Sequence, residues 1–227
     1  MNHSMLRNIE ESENNYNNNH FKRYLLNDST YPIVYETLYY EANKYVIEEN
    51  KILENIFIIE SGVVIENKQQ SICSFLGVNE LIGLEGLSHP NNNSSTSVMT
   101  LTKTVVYKMS IQSIKEKLLQ RPSGYEFLNE LLIQKIINLT KRLTDIESNY
   151  DKTLHILQDL ALLYGQRKNG AIYIKKFFTK KMIANYLQVS YVTIVTICKQ
   201  LGVEGIIHDE PHGMILYPDK ICNKAGK

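Results

Sequence analysis

The sequence lacks tryptophan altogether and holds only three cysteines in 227 residues. Cys73, Cys198 and Cys222 are odd in number and scattered. They form neither a disulfide framework nor a zinc or iron–sulfur ligand set, and they suit a reducing cytosol. No uninterrupted apolar run approaches the roughly 18 residues that a bilayer span needs, so no membrane segment is expected. The stretch Met1 to Arg7 lacks the apolar core of a secretory signal, and a cytoplasmic location is expected. A large charge of either sign is also missing. The net charge is +1, with 22% charged and 43% apolar residues, which excludes wholesale disorder. The length suits one large or two modest domains.

Near-neutrality conceals a division. Residues 1–149 carry 14 Lys and Arg against 18 Asp and Glu, a net of −4. Residues 150–227 carry 11 against 6, a net of +5. An acidic part is therefore joined to a basic one that can approach phosphates.

The local pattern changes along the chain. Asn14 to Asn19 is polar low-complexity sequence that offers nothing to a packed core. Short runs rich in Val, Ile, Thr and Tyr follow at Tyr35–Tyr40, Tyr45–Glu49, Ile56–Ile59, Val63–Ile65, Ile72–Leu76, Ser97–Leu101 and Thr104–Met109. With no helical pattern between them they predict an antiparallel barrel or sandwich. Asn43, Asn50 and Gly62 stand at the turns, where left-handed geometry is tolerated. After Ser110 the period becomes helical. Leu132, Ile136, Leu139, Leu143, Ile146 and Tyr150 are spaced 4, 3, 4, 3, 4, a heptad seam on a helix of about 28 residues. Such a face either lies against its own domain or pairs with its twin, and the length and narrow seam favour a parallel homodimer.

The basic part reads as three helices and a hairpin. Asp151 or Thr153 caps the first helix, Thr179 the second over Lys180–Leu187, and Ser190 the third over Tyr191–Leu201, with Gly202 at its end. Gln188-Val189-Ser190 is a turn of the length found in a helix-turn-helix. Ile206-Ile207, His208 to Gly213 and Met214 to Tyr217 read as strand, turn and strand, a wing. In such a module the third helix lies in the major groove of DNA. Thr179, Lys180, Lys181, Ser190, Thr193 and Lys199 suit phosphates, and Tyr191, Val192 and Thr196 occupy the face that meets bases.

These segments resemble the superfamily of the cyclic-AMP receptor protein and the fumarate–nitrate regulator (Crp/Fnr). Phe57 to Val64 is similar to its aromatic–Ile–Leu–Glu–Gly–Ser–Val hairpin, and Glu80 to Leu87 to its Asp–Leu–Ile–Gly–Leu–Asp–Ala–Leu segment. Phe178 to Ser190 follows its Leu–Thr–x–x–x–Leu–Ala–x–x–Leu–Gly–x–Ser signature. The resemblance implies an α+β protein with an N-terminal antiparallel β-roll (a jelly roll of the cyclic-nucleotide-binding kind), a long dimerisation helix and a C-terminal winged helix-turn-helix. The matching division is a polar segment at 1–30, a sensor-like roll at 31–112, the dimerisation helix at 113–150 and the DNA-binding domain at 151–227. It implies a transcription regulator acting as activator or repressor on double-stranded promoter DNA, with RNA polymerase as a partner if an activator.

The departures bear on specificity and effector. Where the family commonly places Arg-Glu and a second Arg in the recognition helix, this sequence has Tyr191, Val192 and Thr196. No guanidinium is there to read guanine, so an A·T-rich palindrome is expected. Gly83, Leu84, Glu85, Ser95 and Thr96 fall where the resemblance places an effector pocket. Leu84 stands where the phosphate-binding Glu would be, and from Gly62 to Leu101 the only basic residue is Lys68. Cyclic AMP is disfavoured on that account. An iron–sulfur cluster is disfavoured because residues 1–72 hold no cysteine. No cofactor is expected, and an unidentified small-molecule effector is left open.

Other signals read blandly. Cys73 and His89 are only nominal haem ligands, and Cys73 reads as a small strand residue. His208-Asp209-Glu210-Pro211-His212 reads as a solvated wing tip, and His155 as a satisfied interface histidine. No catalytic constellation and no metal site assembles. The competing reading is a β-roll protein that does not bind DNA, either a cupin-like enzyme or a protein-interaction module. A cupin site needs clustered histidines, and none occurs between His20 and His89.

Overall fold

The computed structural model describes residues 18–88, 93–144 and 146–222. They divide into two compact units, the first ending at Asp145 and the second beginning at Ile146, with residues 70–74 grouped with the second. Of the features singled out in the sequence, Asn14 to Asn17 and His89 lie outside the described residues.

The first unit is built on two four-stranded sheets. One has the order β1 (Tyr35–Tyr40), β8 (Thr104–Ser110), β3 (Asn55–Ser61), β6 (Leu81–Ile82). The other has the order β2 (Tyr45–Ile47), β7 (Ser97–Thr100), β4 (Val64–Lys68), β5 (Ser71–Leu76). The pairs β1–β8, β3–β8, β3–β6, β2–β7 and β4–β7 are antiparallel. In β3, Ile56, Phe57, Ile58 and Ile59 are all buried, which explains a continuous apolar run in place of alternation. Asn43 and Asn50 adopt positive φ, 63° and 66°, the geometry that favours Asn or Gly over β-branched residues. Gly62 closes the β3–β4 hairpin at φ 100°, where a Cβ would lie 2.6 Å from the Lys103 carbonyl.

A polar segment at 1–30 is not what the structure shows from residue 18 onward. Residues 18–26 form a helix, α1, that buries Phe21, Tyr24 and Leu25 in the roll core. The aromatic and leucine positions recur at helical spacing among the polar ones, and composition alone hid them. The helix is held by α2 (Ile111–Gln120). The side chain of Lys117 in α2 is fully buried; Nζ donates to the Tyr31 carbonyl at 2.7 Å and the Leu25 carbonyl at 3.3 Å, and lies 3.6 Å from the Asp28 carboxylate. Burial pulls the lysine pKa down, opposed by Asp28.

The long helix α3 (Gly124–Thr144) has 21 residues, about 31 Å. The expectation of a continuous helix through Tyr150 is corrected here. Ser148 caps a new helix, α4 (Asn149–Tyr164), by accepting from the Asp151 amide, so neither Asp151 nor Thr153 is the cap. Ile146 lies between the helices, and Tyr150 belongs to the second unit, its hydroxyl bonded to Glu204. The heptad spacing survived across a break because residues on either side of a short connection can keep a register by chance.

In the second unit, β9 (Gln166–Lys168) and β10 (Ala171–Lys175), which the expectations above do not include, turn at Asn169-Gly170 and join a hairpin of β11 (Ile207–Glu210) and β12 (Gly213–Leu216) in the order β11-β12-β10-β9. His208, Asp209 and Glu210 are thus strand residues, and the turn is only Pro211-His212. Between β10 and β11 lie α5 (Lys180–Leu187) and α6 (Tyr191–Val203), with Ile183, Ala184, Ile194, Ile197 and Leu201 buried; Leu187 is half-buried. Helix α6 runs past Gly202, and Gly205 provides the left-handed residue after it, at φ 70°. A short α7 (Pro218–Cys222) follows.

Removing the Lys117 ammonium leaves the Leu25 and Tyr31 carbonyls without this donor and takes one of two cations from Asp28, which keeps Arg121 at 3.4 Å and the Thr30 amide at 3.0 Å. Lys117→Ala is expected to cost about 3 kcal/mol, read by urea unfolding of the first unit, with α1 losing amide-exchange protection first.

Candidate nucleic-acid interface and effector cavity

Helix α6 is presented by its cap. Ser190 Oγ accepts from the Thr193 amide at 3.0 Å and meets the Thr193 hydroxyl at 2.7 Å. Thr179 does the same for α5, accepting from the Met182 amide at 3.2 Å. Gln188 takes φ 56° in the turn between them, the left-handed residue that lets the two helices follow so closely. With Ile194, Ile197, Cys198 and Leu201 packed inward, α6 leaves Tyr191, Val192, Thr196 and Lys199 on its outer face, Val192 70% exposed. Thr193 is half-buried beside its cap. Burial pushes the Cys198 thiol up to about 11, so it packs as an inert small side chain.

The two lysines at the start of α5 differ. Lys181 is exposed, whereas Lys180 is turned onto strand β11, its Nζ 2.5 Å from Asp209, with 24% of its side chain accessible. A cation at a helix N-terminus opposes the helix dipole, and the Asp209 carboxylate offsets that. Across the sheet an open groove of about 700 Å³ is lined by Arg167, Lys168, Tyr173, Lys175 and His212, with Glu210 among them.

The first unit holds a smaller cavity of about 140 Å³. Of the five residues marked in the sequence, Gly83, Leu84, Glu85 and Thr96 line it, while Ser95 does not, serving as a donor to Glu85. Glu66, Ser94 and, from α3, Leu132 and Lys135 also line it and were missed. Lys135 lies far outside the window from Gly62 to Leu101, and it reaches the roll from a helix whose packing the sequence does not disclose. Lys68, the only basic residue in that window, donates instead to the Ser95 carbonyl at 2.6 Å and pairs with Glu49 at 3.2 Å. Glu85 accepts from the Ser94 hydroxyl at 3.0 Å, the Ser95 amide at 2.9 Å and the Ser95 hydroxyl at 2.6 Å. Glu66 accepts from the Thr96 hydroxyl at 2.9 Å. Gly83 stands at φ 85°, where a Cβ would sit 3.0 Å from the Asn55 carbonyl.

The expected seam divides on α3. Leu128 and Leu131 are buried in the roll core, whereas Leu132, Ile133, Ile136, Ile137, Leu139 and Leu143 are exposed, Ile136 at 61% and Leu143 at 81%. Ile146 is 98% exposed. His155 Nδ1 lies 2.5 Å from the Glu147 carboxylate, a contact without hydrogen-bond geometry. Among the described residues no group of His, Cys, Asp and Glu is placed to hold a metal ion, and no helix is long and apolar enough to cross a membrane.

Residues 37–121 match the family model of the cyclic nucleotide-binding domain. Nothing among the curated proteins matches the sequence. Among solved structures, FixK2 from Bradyrhizobium japonicum matches with 13% identity and a TM-score of 0.72, over 85% of this chain and 97% of that one. The c-di-GMP responsive global regulator CLP of Xanthomonas campestris matches with 16% identity and a TM-score of 0.64, over 81% and 94%. The chain has the Crp/Fnr fold. A Crp/Fnr-family transcriptional regulator from Thermus thermophilus matches likewise, with 15% identity and a TM-score of 0.63 over 84% and 97%. The Crp/Fnr fold carries the cavity in its roll and the exposed face of α6 in its C-terminal part.

Near the cavity, burial raises the Glu80 pKa from 4.5 to about 7, helped by Glu66 and opposed by the Gly77 amide and Lys135. A raised folded-state value means that the stabilisation is complete below about pH 4.5 and is lost as pH climbs through 7. Glu80→Gln should therefore gain roughly 1–3 kcal/mol over the native chain at pH 8 and almost nothing at pH 4.5, read as the difference in thermal unfolding at the two pH values.

Proposed function

We propose that this protein is a homodimeric, sequence-specific DNA-binding transcription regulator of the Crp/Fnr type, in which α5, α6 and the β11–β12 hairpin act as a winged helix-turn-helix. The exposed row of Tyr191, Val192, Thr196 and Lys199 on a capped α6 carries this reading. Inserted in a major groove, that row offers Val192 and Thr196 to thymine methyls and Tyr191 to base edges or phosphate. Thr179, Lys181, Ser190, Thr193 and Lys199 take the backbone. Lys180, held by Asp209, positions the hairpin against α5 and contributes charge at second hand. An A·T-rich palindrome is the expected site.

The exposed apolar face of α3 supports a homodimer, because a contiguous apolar stripe of this kind marks an interface on a soluble protein. Leu132, Ile136, Leu139 and Leu143 form its seam; Tyr150 has no part in it. The roll cavity is the effector site. Cyclic AMP and an iron–sulfur cluster do not fit this reading. The cavity is smaller than the ~300–1,000 Å³ of pockets for drug-sized ligands, carboxylates stand at it, and no cysteine precedes Cys73. Two of the solved structures quoted above, CLP and the Thermus thermophilus protein, are named as regulators, which favours a non-enzymatic role. RNA polymerase is a partner if the protein activates.

Selection of bound genomic DNA followed by gel shifts tests the function. The logarithm of the affinity should fall linearly with log salt, and Lys181→Glu or Lys199→Glu should each reduce the magnitude of that slope by about 1. DNA binding that ignores salt, or whose affinity and salt slope both reversals leave unchanged, sinks the assignment. Ile136→Glu with Leu139→Glu should give a monomer by sedimentation equilibrium and lower affinity for the full palindrome by at least about a hundredfold.

A further inference from the structure

We infer that the outer face of the β9–β10 hairpin is a second contact with the DNA backbone, taking phosphates of the duplex that flanks the site read by α6. This rests on the reading of α6 as the recognition helix and extends it beyond α5, α6 and the hairpin of β11 and β12. The register of the sheet brings the side chains together. Tyr173 stands opposite Gln166 and Ala171 opposite Lys168, while Lys175 stands opposite Gly213 of β12. Side chains alternate along a strand, so Lys168, Tyr173 and Lys175 share one face, and Ile172 and Ile174 on the other are buried. Arg167 lines the same groove from the β9 edge. Gly213 keeps it open beside Lys175, since a Cβ there would lie 2.0 Å from the Ile174 carbonyl.

Charge decides the class of partner. Between Asp159 and Glu204 the chain carries seven Lys and Arg and no acid. Lys180 is tied to Asp209, whereas among the described residues Arg167, Lys168 and Lys175 enter no ion pair. Glu210 is the one acid lining the groove. Lys168 and Lys175 lie four residues apart along β10, about 13 Å at ~3.3 Å per residue. That spread suits successive phosphates, which rise about 3.4 Å per nucleotide along one strand, better than a single small anion. Strand β11 packs on α6 and β9 lies three strands away, about 14 Å at ~4.8 Å per strand. The basic face therefore falls beside the stretch that α6 occupies, where backbone and not base edges would meet it. Contacts of this kind add affinity without sequence preference. An acidic protein surface offers the same charge, and the test separates the two.

Two duplexes are titrated against the full chain by fluorescence anisotropy. One is the core site recovered by genomic selection; the other is that core lengthened at each end by about ten base pairs, one helical turn, of unrelated sequence. The longer duplex should bind at least about tenfold more tightly whatever the flanking sequence, with a salt slope steeper by about 2 or more. Combining Arg167→Gln, Lys168→Gln and Lys175→Gln should erase that gain and leave affinity for the core duplex within about twofold. Glu210→Gln should enlarge the gain, which misfolding cannot do. Equal affinity for the two duplexes, or a gain that the triple substitution leaves intact, overturns the inference and turns this face over to an acidic protein. The reading of α6 then still stands if Lys199→Glu weakens core binding. A chain that binds neither duplex removes the recognition helix itself, and the flank contact with it.

Discussion

The carboxylate of Glu85 is the constraint around which the roll cavity is arranged. It gathers two hydroxyls and one amide from Ser94 and Ser95, and so ties the approach to β7 onto the short turn that follows Gly83. A carboxylate has acceptor capacity for about four such donors, and three are used on a single stretch of backbone. These donors are thus committed to a side chain of the protein itself, and the adjoining backbone is organised around its negative charge.

The same logic holds at the other end of the unit. Lys117 is buried where an apolar residue would pack with less desolvation, and its ammonium links the end of α1, the loop after it and α2. A buried ammonium tolerates only one arrangement of its acceptors, so it orients α1 more sharply than apolar contact would. Tyr24 adds a donor to the Arg121 carbonyl at 3.0 Å and its ring lies 4.9 Å from Lys117 Nζ.

The parts of the molecule that could be read from sequence were those governed by local rules. The strand Tyr35–Tyr40, the left-handed Asn43 and Asn50, and the caps Thr179 and Ser190 stand where alternation, turn chemistry and side-chain capping put them. What escaped was decided at long range. Helix α1 hides behind asparagines, and Lys135 belongs to a cavity whose other residues, Leu132 apart, lie 30 or more positions earlier in the chain. The hairpin of β9 and β10 is the exception, since Asn169-Gly170 at φ 51° and 78° before the alternating Ala171-Ile172-Tyr173-Ile174 is a local signal left unused above. The break after Thr144 escaped for a different reason. Ile146 and Tyr150 kept the heptad count, and only the Ser148 cap, with its bond from the Asp151 amide, marks a new helix.

Helix α3 joins these threads. On one side Leu128 and Leu131 close the roll core; beside them Leu132 and Lys135 line the cavity; beyond them Ile136, Leu139 and Leu143 face outward. Successive positions on a helix are rigidly related, so a displacement of about an ångström at Lys135 must appear at Ile136 and Leu139, one residue and one turn away. Closely packed interiors pass such strain on rather than absorbing it. Under the proposed reading of the cavity and the seam, this helix is the direct route between them, because among the described residues of the first unit it alone both lines the cavity and exposes the apolar face.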